Sequence, residues 1–211
     1  MTLPRFTATC LLFAPIGILL GWAGMRLGGG GGAEPLWTVA HLFWLPSYAA
    51  LAVGFAGIHR LIRPRRAAGR LLAGSGLAMT VIGGLAIAAQ MVVDLVVGFA
   101  TADRDAMGDM FDQVQSVPGV ELAVYAVGPS LLFVGMLILV VQAAASRQVP
   151  ARAAVLVSAA VVISGLEQAV EVPLRLMMLA AVLLLWLAAV PIARQVREDA
   201  AAEATAESLR A

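Results

Sequence analysis

Residues 70–101, RLLAGSGLAMTVIGGLAIAAQMVVDLVVGFAT, decide the fold, because after Arg70 this long apolar stretch carries one ionisable side chain, Asp94. A helix needs about 20 apolar residues to cross roughly 30 Å of hydrocarbon. This stretch exceeds that length, so it tilts or projects beyond the surface. Comparable stretches lie near 6–27, 36–62, 121–145, 152–171 and 173–194. With 61% hydrophobic and 13% charged residues, the chain is too apolar for an ordinary soluble domain. The expected fold is all-α: a polytopic integral membrane bundle of six transmembrane helices over 1–197, followed by a C-terminal tail over 198–211.

Charge placement orients the spans. Arg60, Arg63, Arg65, Arg66 and Arg70 crowd the second connection, Arg147 and Arg152 flank the fourth, and Arg5, Arg194 and Arg197 lie toward the termini. Short cytoplasmic loops carry the excess of basic residues. These segments and both termini are therefore expected on the cytoplasmic side of a bacterial cytoplasmic membrane. The alternate connections hold Arg26, Arg104 and Arg175 against Glu34, Asp103, Asp105, Asp109, Asp112, Glu121 and Glu171. All basic residues other than His are Arg, which together with the Ala, Val, Leu and Gly bias resembles small membrane proteins of high-GC bacteria and implies no activity.

Several local signals shape the bundle. Gly17, Gly21 and Gly24 put small residues where a second helix can approach closely. Glycines 28–32 form a linker with no phosphate-binding context. Residues 103–117 are too polar to span. Met107, Met110, Phe111, Val114 and Val117 recur at helical spacing while Asp105, Asp109 and Asp112 oppose them, which predicts one short amphipathic helix on the extracytoplasmic surface between spans three and four. The aspartates do not follow the spacing of an EF-hand calcium loop. Cys10 is the only cysteine, so no intrachain disulfide forms.

The polar residues inside the spans gather toward the extracytoplasmic half. Trp37, His41, Trp44 and Tyr48 share one helical face, at i, i+4, i+7 and i+11. Gln90 and Asp94 lie one turn apart, Tyr125 follows Glu121 by one turn, and Glu167 and Glu171 are placed for Arg175 to neutralise. Trp37 and the helix-end charges have an ordinary explanation at the membrane interface. Asp94 and Glu167, flanked by apolar residues, call for a functional one and are the candidate catalytic or proton-carrying groups. The remaining candidates for substrate binding are Trp37, His41, Trp44, Tyr48, Gln90, Tyr125, Glu171 and Arg175.

Facing one another, these groups would line an outward acidic cavity. Its first use is proton- or cation-linked transport or binding of a small solute, with Asp94 or Glu167 exchanging protons. A second is an integral-membrane enzyme for a lipid or isoprenoid, which resembles membrane terpene cyclases in residue types but in no motif. A third is a non-catalytic partner subunit, and whether the chain is an enzyme stays open. With one histidine, His41, on that side, no metal site and no cofactor are expected. The expected partners are the lipid bilayer and a small solute or lipophilic ligand, with no nucleic acid; a homo-oligomer is compatible.

Overall fold

A computed structural model describes residues 2–27, 35–169 and 175–209, with the backbone alone at 167–169, 175, 176, 203 and 207. Among the described residues the chain is entirely helical, with helices α1 (Leu3–Leu27), α2 (Pro35–Ile58), α3 (Ala67–Ala100), α4 (Arg104–Ser116), α5 (Val127–Ala145), α6 (Ala151–Ala169) and α7 (Arg175–Ser208). A 3-10 turn, His59–Leu61, extends α2, and a π-helical segment, Glu121–Ala126, leads into α5.

Five helical stretches, Leu3–Leu27, Pro35–Leu61, Ala67–Ala100, Glu121–Ala145 and Met177–Ala206, are long and apolar enough to cross a membrane. The fold is thus an all-α polytopic bundle of candidate spans. The expected count of six is reached only if α6 is included, and its described apolar part, Ala151–Leu166, is shorter than the others. The final helix, α7, runs from the last span into the tail and continues unbroken to Ser208, because the alanine-rich tail keeps a high helix propensity.

Around the bundle α1 packs on α2, α2 on α3, α3 on α5, α5 on α6, α6 on α7, and α7 again on α1. The six long helices therefore close a ring, with α2 and α5 touching across its middle. Glycines set the closest approaches. A Cβ at Gly83 would stand 2.0 Å from the Leu132 backbone nitrogen, and one at Gly135 would stand 2.5 Å from the Thr80 nitrogen, so α3 and α5 meet backbone to backbone. The expected face of α1 behaves likewise, with Gly17 against Ser47, Gly21 against Trp44 and Gly24 against Ala40. Away from these seams large apolar side chains point outward, among them Leu71, Ile82, Leu85, Val96 and Phe99 on α3.

Helix α4 forms close to the expected boundaries. Asp103 caps it by accepting a hydrogen bond from the Ala106 amide at 2.9 Å. Met107 is buried and Phe111 half-buried, while Asp105, Asp109 and Asp112 are exposed. Val117 is the exception to the expected apolar face: the helix ends at Ser116, and Val117 is extended and exposed.

Candidate functional site

Asp94 sits one helical turn before Gly98 on the inner face of α3 and is 5% exposed. Directly opposite, on the first turns of α2, His41 is 2% exposed. The His41 Nε2 lies 3.4 Å from Asp94 Oδ2. The second carboxylate oxygen, Oδ1, accepts a hydrogen bond from the Tyr125 hydroxyl at 3.3 Å. One pair of helices and the turn before α5 thus converge on one carboxyl group.

The imidazole is fixed from its other side. Its Nδ1 lies 2.8 Å from the Trp37 carbonyl oxygen. A carbonyl only accepts, so Nδ1 carries a proton. Nε2 then faces Oδ2 either as a second N–H donor to a carboxylate or as a lone pair receiving the proton of a carboxylic acid. In both arrangements the pair holds one proton between Nε2 and Oδ2 and is neutral overall. That neutrality makes the burial tolerable in a low-dielectric setting.

Aromatic rings enclose the pair. The Trp37 ring lies 4.2 Å from the imidazole centroid and the Trp44 ring 5.1 Å from it, edge-on. The Trp37 indole N–H also reaches the Asp94 carbonyl oxygen at 3.4 Å, tying α2 to α3. Phe111 of α4 meets Trp37 edge to face at 6.2 Å, so the amphipathic helix covers this end of the network. Gly98 makes room for the indole: a Cβ there would stand 2.9 Å from Trp37 Cδ1.

Tyr125 owes its position to an irregularity. Pro129 has no N–H for the Tyr125 carbonyl, and its ring would clash with that oxygen in a regular α-helix. The chain answers with a π turn over Glu121–Ala126, in which the Val127 amide bonds the Leu122 carbonyl. The widened turn pushes the Ala123 carbonyl to within 1.7 Å of where a Cβ on residue 128 would sit, and Gly128 alone allows this. The Gly-Pro pair inside an apolar run was the available signal for this turn, which the periodicity of the sequence does not reveal.

The candidates separate into three groups. Trp37, His41, Asp94 and Tyr125 come together, with Trp44 in ring contact. Gln90 is half-buried one turn before Asp94 and makes no hydrogen bond among the described residues. Tyr48 belongs elsewhere: with Trp44 it forms part of the wall of a cavity of about 430 Å³ between α1, α2, α5, α6 and α7. Neither His41 nor Asp94 lines that cavity, and no described carboxylate does; its wall is mostly apolar, with Trp22, Arg26, Tyr48 and Ser164 bearing polar groups. The side chains of Glu167 and Arg175, and all of Glu171, lie outside the described residues. Among the described residues no three His, Cys, Asp or Glu side chains form a metal-binding group.

Fold and site together define an all-α polytopic bundle with a buried His–Asp pair and a half-buried Tyr bonded to it at one end. No family profile, no curated protein and no solved structure matches the chain.

Proposed function

We propose that this is a proton-linked membrane protein that binds or transports a small molecule, with His41 and Asp94 as the proton-exchanging pair. The observation that carries this reading is the 3.4 Å His41–Asp94 contact in which both partners are almost fully buried. An ionisable pair in hydrocarbon is retained for proton or ion handling far more often than for stability. Tyr125 holds the carboxyl group in place, and the Trp37 carbonyl fixes the imidazole tautomer. The arginine distribution supports a cytoplasmic-membrane location with both termini inside, which puts the network in the extracytoplasmic half under α4.

The enzyme reading is weaker. An acid catalyst must reach its substrate, and Asp94 is not part of the cavity wall.

Reconstitution into liposomes tests the proposal. Under an imposed inward proton gradient, labelled amino acids, sugars, short-chain acids and lipophilic carbonyl compounds are screened for accumulation. The expected result is gradient-dependent accumulation of at least one class, abolished by Asp94→Asn and by His41→Gln. Accumulation that survives both substitutions would reject the pair's role, and a complete panel without any gradient-dependent uptake would reject transport.

A further inference from the structure

We infer that the cavity behind Trp44 is the ligand site, and that its ligand is a molecule with a single hydrocarbon chain and a head that accepts hydrogen bonds. This rests on the reading that the bundle binds a small molecule and names the class of that molecule.

Size comes first. A cavity of about 430 Å³ falls within the usual range for small-molecule sites. At about 30 Å³ for each water-sized group it has room for roughly 14 of them, or a chain of about a dozen carbons. Its shape is set by the helices. From Ile18 to Arg26 the wall follows α1 for about 12 Å at 1.5 Å per residue. The site is therefore a slot along the bundle axis.

Polarity is graded along that slot. The deep end is walled by Leu51, Met136 and Leu185, and nothing there can hold a polar group. Toward the end where α1 finishes, the wall carries Trp22, Arg26 and Ser164, with Tyr48 between the two ends. Trp and Arg side chains donate hydrogen bonds and accept none. The Trp22 indole N–H is buried and has no acceptor among the described residues, while the Arg26 guanidinium lies 5.7 Å from the same indole ring. The Tyr48 hydroxyl has no hydrogen-bond partner among the described residues either. A buried, unsatisfied Trp22 N–H above an apolar slot selects an acceptor-bearing head, such as a carbonyl or carboxylate, and a hydrocarbon tail. Sugars and amino acids would leave their donors unpaired against Leu and Met.

The slot also touches the proton site. Trp44 presents its ring to the cavity and its edge contact to His41, and its indole N–H is anchored on the Ile18 carbonyl at 3.0 Å. One side chain, Trp44, is therefore the partition between ligand and proton pair.

The test is equilibrium binding of tritiated methyl dodecanoate to full-length protein in phosphatidylcholine nanodiscs, read by scintillation proximity, with unlabelled dodecanoate, methyl dodecanoate and tridecane as competitors. Saturable binding is expected, displaced by the two carbonyl compounds at about tenfold lower concentration than by tridecane, the difference one retained hydrogen bond gives. Trp22→Phe should shrink that preference to about threefold or less. Ala181→Phe, which fills the slot from a wall position 3% exposed, should remove saturable binding; Val161→Phe serves if that variant is not monodisperse. Absence of saturable binding, binding that survives filling of the slot in a monodisperse variant, or a carbonyl preference untouched by Trp22→Phe would each overturn the inference. Binding is read without a pH gradient, so its failure leaves the His41–Asp94 proposal standing, and the converse holds.

Discussion

Truncating Asp94 should be far more damaging than neutralising it. At 3.4 Å and an effective dielectric of about 20, opposite unit charges attract by about 5 kcal/mol. Desolvation of both groups opposes most of this, so the intact pair is close to neutral for stability, whereas removing one partner forfeits about 3–5 kcal/mol. Asp94→Ala leaves the imidazole and the Tyr125 hydroxyl without their acceptor. Asp94→Asn does not. The amide oxygen can accept from Tyr125, and the amide nitrogen can donate to an unprotonated Nε2 while Nδ1–H stays on the Trp37 carbonyl, so its cost should remain within about 1 kcal/mol.

Thermal unfolding in a mild detergent, followed by intrinsic fluorescence, separates these cases. For a chain of this size each kcal/mol moves the midpoint by about 2–4 °C, so Asp94→Ala should unfold between about 6 and 20 °C below wild type and Asp94→Asn within about 4 °C. The triple variant His41→Leu, Asp94→Leu, Tyr125→Phe replaces the network by apolar groups and should recover most of the loss. Equal destabilisation by Ala and Asn, or a triple variant as unstable as Asp94→Ala, would refute the assigned network.

Glycine substitutions give two further tests. Gly83→Ala drives a Cβ into the Leu132 backbone and should cost about 3 kcal/mol or more as α3 and α5 separate, while Gly74→Ala meets nothing within 4 Å and should be neutral or stabilising by up to about 1 kcal/mol; comparable unfolding midpoints for the two would contradict the packing. Gly98→Ala crowds the Trp37 ring and should displace the indole from the Asp94 carbonyl, seen as a shift of tryptophan emission at little cost to the fold; emission identical to wild type would count against the described contact.

Helix placement was legible because hydrocarbon permits few alternatives: a long apolar run must satisfy its own backbone hydrogen bonds. Hence α1, α2, α3 and α5 fall within a few residues of expectation, and the alternation of methionine and aspartate marked α4. The site was legible in composition but not in pairing. Sequence spacing puts His41 and Asp94 at the same height of the bundle, yet which residue faces which depends on register, and register is set by contacts such as Gly98 under Trp37 and Gly84 against Ala52. Those contacts join residues far apart in the chain. Of the cavity wall, only Trp44 and Tyr48 stood out in the sequence. Leu51, Met136 and Leu185 are ordinary span residues, and a void between five helices is a property of their summed shapes. Tyr125 lay between these cases: its proximity to Pro129 was visible, but the π turn that accommodates the proline follows from backbone geometry.

A complete accounting of polar atoms explains why such a pair can be confined at this depth and still be responsive. Each of Nδ1, Nε2, Oδ1 and Oδ2 has one identified partner, so the network is neutral with a single proton between Nε2 and Oδ2 and leaves no buried lone pair facing another. Adding or removing a proton breaks that balance at one contact only, Nε2 to Oδ2, because the Trp37 carbonyl and the Tyr125 hydroxyl hold the outer positions. The imidazole must then move or exchange partners within the space left by two indoles. Trp37 is pinned to the Asp94 carbonyl and backed by Phe111, while Trp44 is held at its N–H by Ile18 but borders open volume on the cavity side. The softer wall is the one that faces the ligand slot. If the proposed proton exchange and slot occupancy both hold, displacement of His41 would be transmitted toward the cavity in preference to α4, and an occupied slot would restrain the imidazole in return, as reciprocity of coupling requires.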